Sequence, residues 1–343
     1  MKILFGIQAT GNGHISRSTE IYKLLKEHPE VEQLDVLISG GKAQMSLPFE
    51  VNYEYKGLSF YYGKKGKISV LKSIGKANFL SVAIGLWKVP FKKYDLIISD
   101  FEPISLWGAK IAGIKSVGIG NMYSVTSKKL RRIKSSSTTK FFATVMCPTK
   151  NKIGMHFQKF DDFIYYPVIR SEIRNAVPAV KDFTVVYLNS FTDEELLKFF
   201  ANPCFANNRF VIYSKSAKYL SKFGNCVVKP LNNESFVDDI TNCNAVITAA
   251  GFQTVSEALY LGKKLFVIPI KKQTEQLDNA KELAAMGVKT STDLVADEVK
   301  FWLDHERPVQ IKFDDDLPNI IDAILHAPVE GRRKTTTEGK KAA

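Results

Sequence analysis

The residues best suited to chemistry lie in two segments of the C-terminal half, 248–257 and 275–280. Their order predicts a strand, a turn at Gly251, a helix, a second strand, a polar loop and a second helix. In an open parallel sheet such turns and helix N-termini lie at the carboxyl edge, where these sheets bind ligands. The free N–H groups and the positive end of a helix dipole suit a diphosphate. The segments therefore predict a site for a phosphorylated ligand.

Side chains in these segments offer the acceptors and donors that a nucleotide sugar requires. Glu257 lies one turn inside the first helix, where its carboxylate can accept two hydrogen bonds from a ribose diol. Glu275 and Gln276 can do the same for a hexose. The alternative is a glycine cap followed by a solvated helix face. The predicted donor-binding residues are Gly251, Phe252, Gln253, Thr254, Glu257, Glu275, Gln276, Asn279, Asn189 and Ser190.

The run from Gly251 to Glu257, with the later Glu-Gln-x-x-Asn-Ala, resembles the donor-binding signature of GT-B glycosyltransferases. The resemblance is to the bacterial N-acetylglucosaminyltransferase that completes lipid II and to UDP-glycosyltransferases generally, and it extends to about residue 327. It implies an α/β fold of the GT-B type, with two doubly wound Rossmann-like domains facing each other across a cleft. It also implies a UDP-sugar as donor substrate and no cofactor.

A second candidate site follows the first predicted strand, where the sequence is Gly11-Asn12-Gly13-His14. A nicotinamide-binding fingerprint is the rival interpretation, but Ser16 replaces its third glycine and no acid closes the second strand. The loop resembles that of the same glycosyltransferases, which implies that the glycines let the backbone approach substrate and that His14 acts as general base. An imidazole titrates near neutral pH, so it can take a proton from a sugar hydroxyl.

Asp100 ends a later predicted strand at the same edge of the sheet as His14. In the enzymes that this chain resembles, an aspartate at this place orients the histidine, as in other His–Asp pairs. Glu102 is the competing candidate for the base, and capping of the next helix is the alternative role for Asp100. The predicted acceptor-binding residues are Gly11, Gly13, Arg17 and Glu102.

Strands and helices alternate in both halves of the chain, which predicts two doubly wound domains. The predicted strands of the N-terminal half are 2–8, 34–39, 94–99 and 116–119, with helices including 17–26 and 109–112. Those of the C-terminal half are 184–188, 209–213, 226–228, 245–248 and 264–268. We predict an N-terminal acceptor-binding domain over 1–165, a linker over 166–182, a nucleotide-sugar domain over 183–312, a terminal helical segment over 313–328 and a disordered tail over 329–343.

The basic residues are concentrated in the N-terminal half. The whole chain has a formal net charge of +13, and residues 1–180 carry 27 Lys and Arg against 13 Asp and Glu. Lysines interleaved with apolar residues over 79–93 suit either an anionic membrane surface or an anionic acceptor, and a solvated basic face is the alternative. We expect no nucleic-acid partner, because no recognition motif is present. The other basic clusters are Lys64-Lys65-x-Lys67, Lys72, Lys76 and residues 128–134.

The expected location is the cytoplasm, either free or at the inner face of the cytoplasmic membrane. No apolar run reaches the roughly 18 residues that a membrane-spanning helix needs, and the four scattered cysteines suit a reducing compartment. No metal site is expected, because the acidic run 314–316 suits the N-terminus of the terminal helix.

The predicted function is inverting transfer of a hexose or N-acetylhexosamine from a UDP-sugar to a hydroxyl of an envelope-type acceptor, either a glycan or a glycolipid. A UDP-N-acetylglucosamine 2-epimerase and a nucleotide-sugar sensor without catalytic activity are the alternatives, since both retain the donor site. The sensor would not need His14.

Overall fold

The computed structural model describes residues 1–41, 47–57, 78–129, 142–271 and 273–328. Several sequence predictions concern residues outside these ranges. They are the basic residues Lys64, Lys65, Lys67, Lys72, Lys76, Arg131, Arg132 and Lys134, and the disordered tail.

The N-terminal domain is built on a seven-stranded parallel sheet in the order β3-β2-β1-β4-β5-β6-β7. Its strands are β1 (Lys2–Gln8), β2 (Gln33–Ser39), β3 (Tyr53–Tyr55), β4 (Leu96–Asp100), β5 (Lys115–Gly120), β6 (Asn151–Met155) and β7 (Ile164–Tyr165). The helices described in this domain are α1 (Asn12–Glu27), α2 (Phe79–Lys88), α3 (Pro103–Ala112) and α4 (Asn121–Ser124), with a 3-10 turn at Phe91–Lys93 and a π-helical turn at Phe142–Met146. The central strands are buried apolar runs, as expected for a parallel sheet covered by helices on both faces.

The C-terminal domain contains a second seven-stranded sheet in the order β10-β11-β9-β8-β12-β13-β14. Its strands are β8 (Lys181–Tyr187), β9 (Phe210–Ser214), β10 (Ser221–Phe223), β11 (Cys226–Pro230), β12 (Cys243–Thr248), β13 (Lys264–Val267) and β14 (Lys289–Thr290). Only β10, at one edge, is antiparallel to its neighbour. The helices described here are α6 (Asp193–Phe200), α7 (Asn233–Asn242), α8 (Phe252–Tyr260), α9 (Thr274–Ala285) and α10 (Ala296–His305), with a 3-10 turn at Pro203–Phe205.

The chain connects the two domains twice. The first connection follows β7 and includes the short helix α5 (Ser171–Arg174). The second leads from the C-terminal domain to the terminal helix α11 (Leu317–Leu325), which packs on the N-terminal domain against α1 and β6. Lys115 Nζ donates to the carbonyl oxygen of Leu325 at 3.0 Å. The predicted terminal helix therefore belongs in space to the first domain.

The largest difference from the predicted elements is the start of α1. The helix begins at Asn12, five residues before the predicted start, with Gly11 as an extended N-cap residue. The glycines favoured a loop in the sequence analysis because glycine has a low helix propensity. Gly11 lies outside the helix as its N-cap residue, a position where glycine is well tolerated, so within this stretch only Gly13 bears the cost. His14 therefore lies in the first turn of a helix.

Candidate active site

His14 and Asp100 are in direct contact at the carboxyl edge of the first sheet. Strand register places Ile7 beside Asp100, so the residues that follow β1 lie over the end of β4. His14 Nδ1 lies 2.8 Å from Asp100 Oδ1. The His14 side chain is 23% exposed and that of Asp100 is fully buried. The imidazole thus has one edge on the carboxylate and retains access to the space above the sheet.

Three residues of α1 reach the same carboxylate. His14, Arg17 and Ser18 are spaced i, i+3 and i+4, which places them on one face of the helix. Arg17 donates from Nη2 to Asp100 Oδ1 at 2.5 Å and from Nε to Oδ2 at 3.0 Å, and Ser18 Oγ donates to Oδ2 at 2.9 Å. Asp100 therefore accepts four hydrogen bonds from a single helix.

Asp100 is held as a carboxylate. Burial raises its pKa, but the charges of Arg17 and His14 and their hydrogen bonds outweigh this and lower the pKa to about 2. An anionic acceptor beside Nδ1 fixes the imidazole hydrogen on that nitrogen. The lone pair is then on Nε2, the atom that a general base needs.

Arg17, which was predicted to bind the acceptor, is buried against Asp100. Its side chain is 3% exposed, and its guanidinium donates to both carboxylate oxygens of Asp100. Its Nη2 also lies 3.2 Å from His14 Nδ1. A buried guanidinium needs a carboxylate partner, and Asp100 is that partner here.

Glu102 caps helix α3. Its Oε1 accepts from Ile104 N at 2.9 Å and from Ser39 Oγ at 2.6 Å, and its Oε2 accepts from Ser105 N at 2.6 Å. Burial raises the pKa of Glu102, and these hydrogen bonds lower it without reversing the shift. The residue is fully buried, so the capping role that was considered for Asp100 belongs to Glu102 instead.

The turn between the two acids has an unusual backbone. Phe101 has φ of +57°, a left-handed conformation that non-glycine residues seldom adopt. Ser99 stabilises the turn, because its Oγ accepts from Glu102 N and donates to Glu102 O, both at 2.8 Å. Conformations of this kind are concentrated at functional sites. Here the turn ends β4 at Asp100 and places Glu102 at the start of α3.

The N-termini of α1 and α8 meet across the space between the two domains. A small pocket lies between them. Its lining residues are Asn12, Gly13, Ser16, Arg170, Tyr187, Leu231, Asn232, Asn233, Phe236, Gln253, Thr254 and Glu257. A Cβ added at Gly13 would lie 3.3 Å from the Cβ of Gln253. Gly13, Gln253, Thr254 and Glu257 are therefore brought together, as the sequence analysis expected of one cleft.

Gly251 is the N-cap residue of α8. Its φ of −72° is available to any residue, and a Cβ at this position would meet no atom within 4 Å. The predicted turn lies in the three residues between β12 and α8, and its backbone does not require glycine at this position. Gly11 is also extended, with open space around it. Both glycines leave room in front of a helix N-terminus, which a bound molecule can use.

Glu257 is paired with a residue that the sequence analysis did not identify. Its two carboxylate oxygens accept from Arg170 Nε at 2.7 Å and from Arg170 Nη2 at 2.6 Å. Gln253 Nε2 donates to Glu257 Oε1 at 2.8 Å and to the carbonyl oxygen of Val168 at 2.9 Å. Glu257 is fully buried, and Arg170 Nη1 also donates to Asn233 Oδ1 at 2.5 Å.

The remaining predicted donor residues occupy several environments. Glu275 Oε1 accepts from Asn121 Nδ2 at 2.8 Å, which joins α9 to α4 across the cleft. Gln276 Oε1 accepts from Ile270 N, and Asn279 Nδ2 donates to Ala250 O, each at 2.9 Å. Both bonds fix loops at the carboxyl edge of the second sheet.

Phe252 packs on Phe157 of the N-terminal domain, with ring centroids 4.9 Å apart. It is 7% exposed and contributes to the domain interface. Asn189 and Ser190 follow β8 and are exposed. They line no part of the pocket that contains Gly13 and Glu257.

In the described ranges, no helix is long and apolar enough to cross a membrane. Among the same residues, no group of three or more His, Cys, Asp or Glu side chains is arranged to hold a metal ion. Asp316 precedes α11, but its carboxylate accepts from Lys159 Nζ and Tyr166 N and makes no cap hydrogen bond.

Residues 1–305 match the sequence model of a protein family, Glycosyl transferase family 1. The chain belongs to this family. Among curated proteins, no sequence match was found. Among solved structures, this family 1 glycosyltransferase is similar to the glycosyltransferase SnogD from Streptomyces nogalater, with 14% identity, a TM-score of 0.54 and coverage of 95% of this chain and 96% of that one.

Two further structures match over similar lengths. The spinosyn rhamnosyltransferase SpnG has 14% identity and a TM-score of 0.57, with 96% of this chain and 97% of that one covered. Arabidopsis thaliana UGT89C1, solved with UDP, has 15% identity and a TM-score of 0.55, with 94% of each chain covered. At these identities the likeness establishes the fold alone. The predicted GT-B architecture is confirmed, as is the resemblance to glycosyltransferases, whereas the closer resemblance to the lipid-II-forming enzyme stays a prediction.

Proposed function

We propose that this glycosyltransferase moves a hexose or N-acetylhexosamine from a UDP-sugar to a hydroxyl of an envelope-type acceptor, with inversion at the anomeric carbon. The observation that supports this proposal best is the contact of 2.8 Å between His14 and Asp100 at the edge that faces α8. A histidine oriented by a buried carboxylate is the arrangement that general base catalysis requires.

The reaction is a single displacement. His14 Nε2 takes the proton of the acceptor hydroxyl while that oxygen forms a bond to the anomeric carbon. The bond from this carbon to the diphosphate oxygen breaks on the opposite face, and UDP leaves with the electron pair. Asp100 stabilises the imidazolium that results, since its carboxylate stays ionised throughout.

The donor occupies the cleft in front of α8 in this proposal. The first N–H groups of α8 have no side-chain cap, and the open space at Gly251 lies beside them. They can stabilise the developing charge of the diphosphate without a metal ion. Thr254 lines the same pocket, while Glu275 and Gln276 lie at the start of α9 and can reach a sugar on the diphosphate.

Two solved structures with this fold contain related ligands. UGT89C1 was solved with UDP, and Phytolacca americana UGT2 with UDP-2fluoro-glucose and pterostilbene. We therefore propose a UDP-linked donor for this chain also. We assign acceptor binding to the basic N-terminal domain, at the inner face of the cytoplasmic membrane.

The test is turnover of His14→Ala with a panel of UDP-hexoses and glycan or glycolipid acceptors. We expect UDP binding to persist and the rate to fall by roughly 10² to 10⁴, the usual contribution of a positioned base. Asp100→Asn should lower the turnover rate as well. The rate of the double variant His14→Ala/Asp100→Asn should fall by far less than the product of the two single fold-losses, because residues that act as a unit fail together.

His28→Ala is the matched control, because His28 follows the same helix and lies outside the pocket. A turnover rate of His14→Ala within about threefold of wild type would overturn the mechanism.

Product analysis without acceptor distinguishes the epimerase alternative, because an epimerase would convert the UDP-sugar by itself. If the protein binds UDP-sugars but shows no turnover with any acceptor tested, the alternative of a non-catalytic nucleotide-sugar sensor is favoured.

A further inference from the structure

Helix α2 has an apolar surface on the side that faces solvent. On the inward side, Gly85 packs on Ile104 of α3, and Val82 and Leu86 join the apolar cluster beneath it. On the outward side, Phe79 is 57% exposed, Leu80 71%, Ile84 36% and Trp87 83%. A surface helix of a water-soluble domain normally carries polar residues on this side. Four large apolar side chains on one exposed face indicate an interaction surface.

The charges around this face are positive. Residues 78–94 contain three lysines and no acid. Lys88 and Lys92 are exposed, whereas Lys93 pairs with Asp35 at 3.2 Å. On the neighbouring helix α3, Lys110 lies over the ring of Trp107 at 4.8 Å. The nearest acid in sequence is the exposed Asp95, whose carboxylate accepts from Lys2 N at 2.6 Å; Glu54 on β3 is a further exposed acid.

The position of α2 relates this face to the active site. A helix that connects parallel strands runs opposite to them, so the N-terminus of α2 lies at the carboxyl edge of the sheet. The structure agrees, because Lys56, which follows β3, donates from its backbone N to Ser81 Oγ at 3.1 Å. Phe79 and Leu80 are therefore at the same edge as His14 and Asp100.

We propose that the outward face of α2 docks the enzyme on an anionic phospholipid bilayer. Phe79, Leu80, Ile84 and Trp87 enter the interfacial region, and Lys88 and Lys92 contact the headgroups. This combination of a deep apolar face with flanking cations is what binds a helix in the membrane interface. The N-terminus of α2 then brings the carboxyl edge of the sheet next to the membrane surface, where a lipid-linked acceptor can approach His14; only this last clause rests on the proposed function.

The test is flotation of the full chain with vesicles of phosphatidylcholine alone or with 30 mol % phosphatidylglycerol. We expect binding to the anionic vesicles only, with release near 0.5 M salt, because the screening length then falls to a few ångströms. Lys88→Gln/Lys92→Gln should weaken binding by about 25-fold, since each lysine near an anionic surface contributes about 1 kcal/mol. Lys218→Gln/Lys222→Gln, in the other domain, should leave it unchanged.

The apolar part is tested by Leu80→Ser/Trp87→Ser, which should reduce vesicle binding at least tenfold. Because both side chains are exposed, the variant should fold normally, and Phe301→Ser, also exposed, is the matched control. A spectroscopic variant, Trp87→Phe, should keep the binding but lose the blue shift of tryptophan emission on adding anionic vesicles. Turnover of a soluble acceptor should be the same in all these variants, which separates docking from catalysis.

Several results would overturn the proposal. They are equal flotation with neutral vesicles, no flotation with either kind, or unchanged binding by Leu80→Ser/Trp87→Ser. A concentration-dependent dimer in sedimentation that this variant abolishes would identify a second copy of the chain as the occupant of the face instead.

Discussion

Arg170 and Glu257 form a buried, bidentate ion pair that joins the first interdomain connection to helix α8. The two residues are 87 positions apart in the chain. Their side chains are 7% and 0% exposed. Glu257 was expected to bind the ribose of the donor. In this state its acceptors are used by Arg170 and Gln253 instead. Donor binding at Glu257 therefore has to compete with an internal partner.

This pair predicts a double effect of Glu257→Ala. UDP binding should weaken by about 1.5 to 3 kcal/mol, the range for a hydrogen bond to a charged group. The free energy of unfolding should also fall by about 3 to 5 kcal/mol, because the variant leaves a buried guanidinium without its partner. Calorimetry with UDP and urea unfolding would measure the two effects.

The double variant Arg170→Met/Glu257→Leu is the control for this interpretation. It removes both charges together, so its stability should be higher than the sum of the single losses predicts. Strict additivity of the two stability losses would show that the pair is not coupled. Unchanged UDP affinity in folded Glu257→Ala would remove this residue from the donor site.

Asp100 should contribute stability that depends on pH in a defined window. Its folded pKa of about 2 lies below the ordinary value of 3.8. Its contribution is therefore fully present above about pH 4 and is lost as the pH falls toward 2, and it amounts to ~2 kcal/mol. Urea unfolding of wild type and Asp100→Asn should show a constant stability gap from pH 7 to 5 that narrows below pH 4. The exposed Asp162→Asn should show no such change, and a gap of equal size at pH 3 and 7 would refute the assignment.

Glu102 should matter for stability and little for the rate. Glu102→Gln retains the shape but loses accepted hydrogen bonds at the N-cap of α3, so the free energy of unfolding should fall by about 1 to 2 kcal/mol. The carboxylate is fully buried, so kcat should stay within about threefold of wild type. A loss of 10² or more in kcat with unchanged stability would instead support Glu102 as the base.

Asp316 should hold the terminal helix on the first domain. Asp316→Ala leaves the backbone N of Tyr166 without its acceptor, and a buried donor left unpaired costs about 1 to 3 kcal/mol, whereas the exposed Lys159 Nζ can be hydrated. The exposed Asp314→Ala is the control and should unfold like wild type. Equal stability of the two variants in urea would show that the contact contributes nothing.

The central strands of both sheets could be predicted from the sequence, because parallel strands bury both faces and therefore form continuous apolar runs. The sequence also brought His14 and Asp100 together, since strand order alone aligns their ends. It could not identify Arg170 as the partner of Glu257, because pairing across the domain interface depends on how the domains meet. The signal that was available was an arginine directly after the apolar residues Val168 and Ile169, where burial would demand a carboxylate.

The position of α1 shows a different limit. With the helix predicted to start at residue 17, His14 lay outside it, so its spacing from Arg17 and Ser18 predicted no common helix face. With the start at Asn12, the i, i+3, i+4 spacing places the three side chains on one face, where they can bind the same partner. The sequence contains this pattern, and only the low helix propensity of glycine concealed it.

The two connections between the domains touch each other. Arg174 Nη1 donates to the carbonyl oxygen of Phe313 at 3.2 Å, and the rings of Tyr166 and Phe313 lie 5.6 Å apart. A single connecting segment would allow the domains to rotate about several axes, whereas two adjacent connecting segments restrict the motion to rotation about one hinge axis. The edges of the cleft farthest from this hinge must move farthest when the cleft opens. Both ends of the described chain lie on the N-terminal domain, so a probe at either end would report on that domain only.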